Sequence, residues 1–577
     1  MIKTLLKSVR QYKKQTIITP ILVALDVIVE IFIPLLMASL IDKGITQHDI
    51  LYIAKSGTLL IVMSLVSLFL GIMHGRTAST ASAGFAKNLR QDMYHKMQEY
   101  SFSNIDKFSS SSLVTRLTTD ITNVQTAFQM LTRIAVRAPL MAVFAFIMVM
   151  GINKKISLIF LGIIPILGFG LGLIAKRAFP KFEKVFKTYD ELNNVVQENV
   201  RGIRVVKSYV LEDEEREKFG KVSEKIYDLF SKAEKTVLFN TPLMQIAMYT
   251  GVILISWFGA NFIISGEMTT GELTSLISYS IQILTSLMIL SMIFVILMMS
   301  QASAERIVEV LNENSNITNP KDPSYDLKDG SVEFRNVSFS YVNNVNKLCL
   351  KDVNIKINSG ETVGIIGGTG TSKTTLVQLI PRLYDATIGE VIVGGKNVKE
   401  YDLKTLRKNV AMVLQKNILF SGTIKENIRW GDKNASDEEI ERACKLAQAD
   451  EFIQNFPKKY DTYIEQGGTN VSGGQKQRLC IARALIKKPK ILILDDSTSA
   501  VDTKTDNLIR KAFKEEIPNT TKFIIAQRIS SVEDADKIIV LESGKINGFG
   551  THQELLENNE IYRDVYYSQT KGGNGDE

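Results

Sequence analysis

Cysteine is nearly missing from this chain: 577 residues carry three, Cys349, Cys444 and Cys480, all in the C-terminal half. They share no metal-ligand spacing, which argues against a disulfide framework or a thiolate metal site and for the reduced thiols of a cytosolic compartment. No short internal repeat is visible, so a solenoid or propeller is not expected. A cleavable signal peptide is not expected either. The first apolar run is too long, lacks a small-residue cleavage site and leads into further apolar runs. The most informative scarcity is of charge. Six stretches of the first 300 residues, at 16–41, 57–75, 134–152, 156–175, 243–265 and 273–299, are almost free of it.

Each stretch is close to the ~20 residues that cross the hydrocarbon core of a bilayer as a helix. Six such runs in one half of the chain argue against buried helices of a large soluble protein and for a lipid bilayer as surroundings. Lys3, Lys7, Arg10, Lys13 and Lys14 precede the first run; the connection 76–131 carries six Lys or Arg and the connection 176–241 carries 14. The connection 266–272 has none, and NKK at 153–155 is a minor exception. Positive-inside bias therefore puts both termini and the two long connections in the cytoplasm of a multi-pass plasma-membrane protein. The formal charge of +8 is accounted for by these membrane-facing basic residues and needs no nucleic-acid partner. Both long connections show apolar residues at three- and four-residue spacing, the pattern of helices that continue beyond the membrane. Pro20 and Pro34 bracket most of the first run, and Pro34 is a candidate kink.

The chain divides into a membrane domain over 1–311, a polar linker over 312–327, a second domain over 328–571 and a disordered tail over 572–577. In the second domain strand-like runs (SVEFRNVSFSY, ETVGIIG, KILILDD, KFIIAQ, KIIVLES) alternate with helical ones, which predicts a largely parallel sheet flanked by helices. Between the strand ETVGIIG and a helix beginning at 374 lies a glycine-rich turn, Gly367, Gly368, Thr369, Gly370, Thr371, Ser372, Lys373, Thr374, Thr375. Strand, loop and helix in that order surround phosphates with backbone N–H groups and a helix N-terminus. Lys373 is expected to reach the β and γ oxygens and Thr374 to bind Mg²⁺. Ser372 stands where the phosphate-loop motif has glycine, adding a Cβ and a hydroxyl. Asp495 ends the apolar strand ILILD, suited to hold Mg²⁺ through water. Gln415 follows another strand, and SGGQ at 472–475 lies 20 residues before Asp495 with a helical segment between.

In this order the motifs resemble those of ATP-binding cassette exporters, specifically half-transporters of the multidrug and lipid type, over essentially residues 5–570. In the membrane half, 104–121 and 197–219 look like that family's inner-loop segments. The resemblance implies a six-helix, all-α transmembrane domain of the type I exporter kind followed by an α/β P-loop nucleotide-binding domain, with ATP and Mg²⁺ as cofactors. It assigns Tyr341 to stacking on adenine, Gln415 to sensing Mg²⁺, and Ser472, Gly473, Gly474 and Gln475 to the signature that completes a partner's site in trans, with Val471 in place of the usual leucine. It also makes Thr374, Gln415 and Asp495 the metal set and 499–502 (SAVD) the loop after the catalytic position. Two cassettes would close head to tail on ATP and drive alternating access, with turns near 104–112 and 208–213 docking on the cassettes.

The chain departs from that pattern where ATP is cut. Asp496 replaces the catalytic glutamate and is one methylene shorter; Gln527 replaces the switch histidine and cannot carry its positive charge. The signature is intact. Together these imply a degenerate site and a heterodimer with a second half-transporter chain, the exporter moving amphipathic drugs or lipids. The competing readings are an ATP-regulated membrane subunit or sensor without transport of its own, and a slow homodimeric exporter. In the membrane half, Asp26 and Glu30 lie four apart on one helix face and mark either a path for cationic substrates or a structural contact. Arg133 and Arg137 read as anchors at the end of the third run, and His74 as interfacial.

Overall fold

The computed structural model describes residues 1–497 and 499–571, which form two compact units. One consists of Met1–Gln98 and Ser110–Glu313, the other of Glu99–Ser109 and the chain from Asn314 onward. The expected disordered tail, 572–577, lies outside the described residues.

Among the described residues the first unit contains six helices long and apolar enough to cross a membrane, within Ile2–Ile45, Ile50–Gln98, Ser110–Ile152, Lys154–Tyr209, Glu212–Ile264 and Thr270–Ile293. Several far outrun a bilayer. The 49 residues of Ile50–Gln98 span about 74 Å at 1.5 Å per residue, against a hydrocarbon core of ~30 Å. Ile61, Leu65, Leu68, Phe69 and Ile72 stand exposed on this second helix, a surface suited to lipid rather than water. Pro34 does not break the first helix, which runs from Lys13 to Ser39 through both prolines. The sixth helix, Thr270–Asn312, supports it there. Ser275 Oγ donates to Pro34 O at 2.6 Å and Tyr279 Oη to Ile31 O at 2.7 Å. Both bonds tie the sixth helix to the proline-containing turn of the first. The two helices meet again at Asp42, which accepts from Thr269 Oγ1 at 2.6 Å and from Gly271 N at 2.8 Å.

The second unit is built on two sheets. One has six strands, in the order Lys545–Gly550, Lys537–Glu542, Thr362–Ile366, Thr521–Ile525, Ile491–Asp495, Val410–Val413, parallel except at the first pair. The run SVEFRNVSFSY is not part of it. Val332–Phe339 pairs antiparallel with Leu350–Ile357 and with Ile388–Val393 in a separate four-stranded sheet. A run of alternating and buried apolar residues does not encode ladder direction, which is set by the partners the strand finds. The parallel strands are buried on both faces, as their unbroken apolar runs require. Their carboxyl ends converge, with Ile525 in register with both Asp495 and Ile365. In such sheets the crevice beyond these ends is where ligands bind.

Linker residues fold onto this unit: Asn319 Nδ2 donates to Asp402 Oδ1 at 2.7 Å, and Leu403 N donates to Asn319 Oδ1 at 2.9 Å. The short helix Phe102–Lys107 does the same, its Asp106 Oδ2 accepting from Tyr384 Oη at 2.6 Å.

Candidate nucleotide site

The glycine-rich turn leaves strand Thr362–Ile366 and enters helix Lys373–Gln378. Gly367 is required by close approach, since a Cβ there would lie 2.3 Å from Leu541 O. Gly370 holds φ +83°, and Thr369 is exposed at the tip. Ser372 caps the helix with φ 70° and ψ 26°, left-handed backbone that glycine adopts freely and serine does not. Lys373 folds back over its own loop and donates through Nζ to Gly367 O at 2.7 Å and to Gly368 O at 2.8 Å. Burial pulls this ammonium below its usual range, and the charges of Asp496 and Asp495 hold it up in part. An ammonium satisfied only by carbonyls is poised for phosphate oxygens. Beside it, the half-exposed Tyr341 shares a hydrogen bond of 2.9 Å with the Thr375 hydroxyl. Its ring stands edge-on to Phe339 and Tyr384.

Parallel pairing brings the next residues in from the strand ends. Thr374 Oγ1 donates to Asp495 Oδ1 at 3.0 Å, so two of the three expected metal ligands already touch. Asp495 is 2% exposed. Burial raises its carboxyl above the ordinary range, the Thr374 bond and Lys373 lower it, and Asp496 raises it further. A buried carboxylate next to a hydroxyl suits Mg²⁺, which takes few protein oxygens and completes its shell with water and phosphate. Asp496 carries the two departures in one contact: Gln527 Nε2 donates to Asp496 Oδ2 at 3.0 Å. Gln415 also bonds this carboxylate, which burial raises and these two amides and Lys373 lower. Lys373, Thr374, Asp495, Asp496, Gln415 and Gln527 thus form one cluster.

Ser472 is the N-cap of helix Gly473–Leu485 and forms a capping box with Gln475. Gly474 has no room for a side chain, because a Cβ would lie 2.8 Å from Ala500 O. Gln477, which the sequence reading passed over, accepts from Ala500 N at 3.0 Å and ties this helix to the loop 499–502. Its only sequence signal was a glutamine on the apolar face of a helix. Among the described residues no hydrogen bond joins Ser472–Gln475 to the loop 367–375.

In the first unit, Asp26 is 2% exposed and bound on all sides. It accepts from Ser67 Oγ at 2.7 Å and from Arg137 Nη1 at 2.7 Å, and His74 Nε2 lies 3.4 Å away. Arg137 Nη2 meets Glu30 Oε2 at 2.5 Å, and Arg133 Nε donates to His74 Nδ1 at 3.1 Å. Arg137, and through His74 Arg133, are thus joined to the acidic pair. A buried carboxylate needs a cation and donors, and the second and third spans supply them.

Comparison with known proteins agrees with this architecture. Residues 16–307 match the family described as ABC transporter transmembrane region, and residues 350–499 match the family described as ABC transporter. An uncharacterized ABC transporter ATP-binding protein of Bacillus subtilis, YfiB, is 37% identical over 549 residues, covering 95% of each chain. An ATP-dependent lipid A-core flippase of Desulfotalea psychrophila is 31% identical, over 92% of this chain and 93% of its own. The solved structure of a bacterial Atm1-family ABC exporter with ATP bound superposes with a TM-score of 0.84 at 21% identity, covering 97% of this chain and 99% of that one.

Proposed function

Because the chain belongs to the ABC transporter family, we propose that it is the degenerate-site half of a heterodimeric, ATP-driven exporter. Its fold is that of type I exporters, six spans followed by an α/β nucleotide-binding domain, and its kinship with ABC exporters supports ATP-driven export. The observation that carries the finer reading is the Gln527–Asp496 hydrogen bond of 3.0 Å. The carboxylate that would orient water is one methylene short and held by a neutral amide. A reach deficit of about 1 Å costs on the order of 100-fold in a positioned reaction.

In this reading Lys373 and the loop 367–372 bind the phosphates, Tyr341 stacks on adenine, and Thr374, Asp495 and Gln415 hold Mg²⁺. That ion would neutralise the β and γ oxygens. Ser472 to Gln475 serve the site whose phosphate loop lies on the partner. Both termini and the nucleotide domain are cytoplasmic, the spans lie in the plasma membrane, and the cargo is an amphipathic drug or lipid. The exposed turn at Tyr209 and Val210, where the chain reverses with φ 56°, is left for the partner's cassette.

The test is to purify this chain alone and with a second half-transporter chain, and to measure ATP hydrolysis and vesicle uptake. Alone it should turn over slowly; paired, it should hydrolyse and transport. Replacing the partner's catalytic glutamate should abolish turnover, whereas Asp496→Glu with Gln527→His here should raise it only modestly. Full hydrolysis and transport by this chain alone would make it a homodimeric exporter. Tight ATP binding without uptake in either form would make it a regulatory subunit.

A further inference from the structure

The last helix among the described residues, Glu560–Lys571, reaches the loop that carries Gln527. It is seated on the core by Tyr562, which is fully buried and bonds His552 Nδ1 through Oη at 2.6 Å, and by Ile561 and Val565. Gln569 follows Tyr562 by seven residues and so lies on the same helix face. Its side-chain amide bonds the switch loop twice: Nε2 donates to Gln527 O at 2.9 Å, and Oε1 accepts from Ile529 N at 2.9 Å. One planar group with a donor and an acceptor thus replaces the neighbouring strand that residues 527–529 lose where Thr521–Ile525 ends. Beyond this clamp, the Gln527 side chain reaches Asp496. No shorter or charged side chain does the same. Asparagine lacks the reach, and glutamate lacks the donor.

We infer that Gln569 is a positioning residue of the ATP site: by fixing the backbone at 527–529 it aims Gln527 at Asp496 and at the γ-phosphate, so the C-terminal helix sets how firmly ATP is held. This rests on the nucleotide reading above and adds a control element outside the cassette motifs. With Gln527 standing in for the switch histidine that meets the γ-phosphate, the effect is expected to be specific to ATP over ADP.

The experiment uses the full-length protein in nanodiscs and measures Kd for radiolabelled ATP and ADP with Mg²⁺, together with the thermal unfolding midpoint. Gln569→Ala should weaken ATP binding about fivefold, the size expected for losing hydrogen bonds of this kind, and leave ADP binding and the midpoint unchanged. Gln569→Glu should fall between, since it keeps the bond to Ile529 N. Gln527→Ala should match Gln569→Ala, and the double variant should be no worse than either. Equal losses for ATP and ADP, additive effects, or no effect of Gln569→Ala would overturn the inference while leaving the nucleotide site intact. Lys373→Ala separates the two levels. If ATP binding is indifferent to that change, the nucleotide reading falls and takes this inference with it.

Discussion

At the residue scale Ser372 is one place where sequence and backbone disagree. Its φ of 70° and ψ of 26° put a Cβ against a carbonyl, at about 1–2 kcal/mol. Glycine removes that cost but loses about 0.5–1 kcal/mol of chain entropy on folding, so Ser372→Gly should stabilise the nucleotide domain slightly and tighten ATP binding. Thermal unfolding and ATP titration check this. Weaker ATP binding would mean that the serine hydroxyl donates to the nucleotide. The departure was visible in the sequence, but its backbone angle was not, because a one-residue mismatch in a motif says nothing about φ. Asp496 and Gln527 were equally visible as separate oddities 31 positions apart. Their contact needed the parallel pairing of Ile491–Asp495 with Thr521–Ile525.

At the scale of elements, what read well was what depends on local pattern. All five strand-like runs are strands, the spans fall where charge is scarce, and the long connections are helical. What failed depends on distant partners. Val332–Phe339 joined an antiparallel sheet. Equally out of reach of local pattern were the bonds from Ser275 and Tyr279 of the sixth helix to Pro34 O and Ile31 O of the first, more than 240 positions away. The same pair of helices gives a sharp packing test. A Cβ on Gly271 would lie 2.3 Å from Ala38 O, which is backbone and cannot swing aside, whereas one on Gly71 meets nothing within 4 Å. Gly271→Val should therefore cost about 1–3 kcal/mol, read as a lower thermal midpoint, while Gly71→Ala should not lower it. Equal midpoints would mean that the two helices separate there without penalty.

Across the whole molecule, the buried ion network changes how the membrane half is read. Asp26 and Glu30 were legible as an acidic pair on one face; their partner Arg137, 111 residues from Asp26, was not. Removing one member of a buried pair leaves an uncompensated charge and costs about 3–5 kcal/mol. Asp26→Asn and Arg137→Gln should each lower the thermal midpoint of the full-length protein, and the double variant should recover part of the loss. Unchanged midpoints with selective loss of cation efflux would instead place the two carboxylates on the cargo path. The bond between Gln527 and Asp496 also has a bearing on the machine as a whole. An imidazole at 527 would change charge close to neutral pH, coupling the grip on nucleotide to the acidity of the cell. An amide has no such transition. Residue 527 therefore adds no charge change of its own near neutral pH at this chain's nucleotide site.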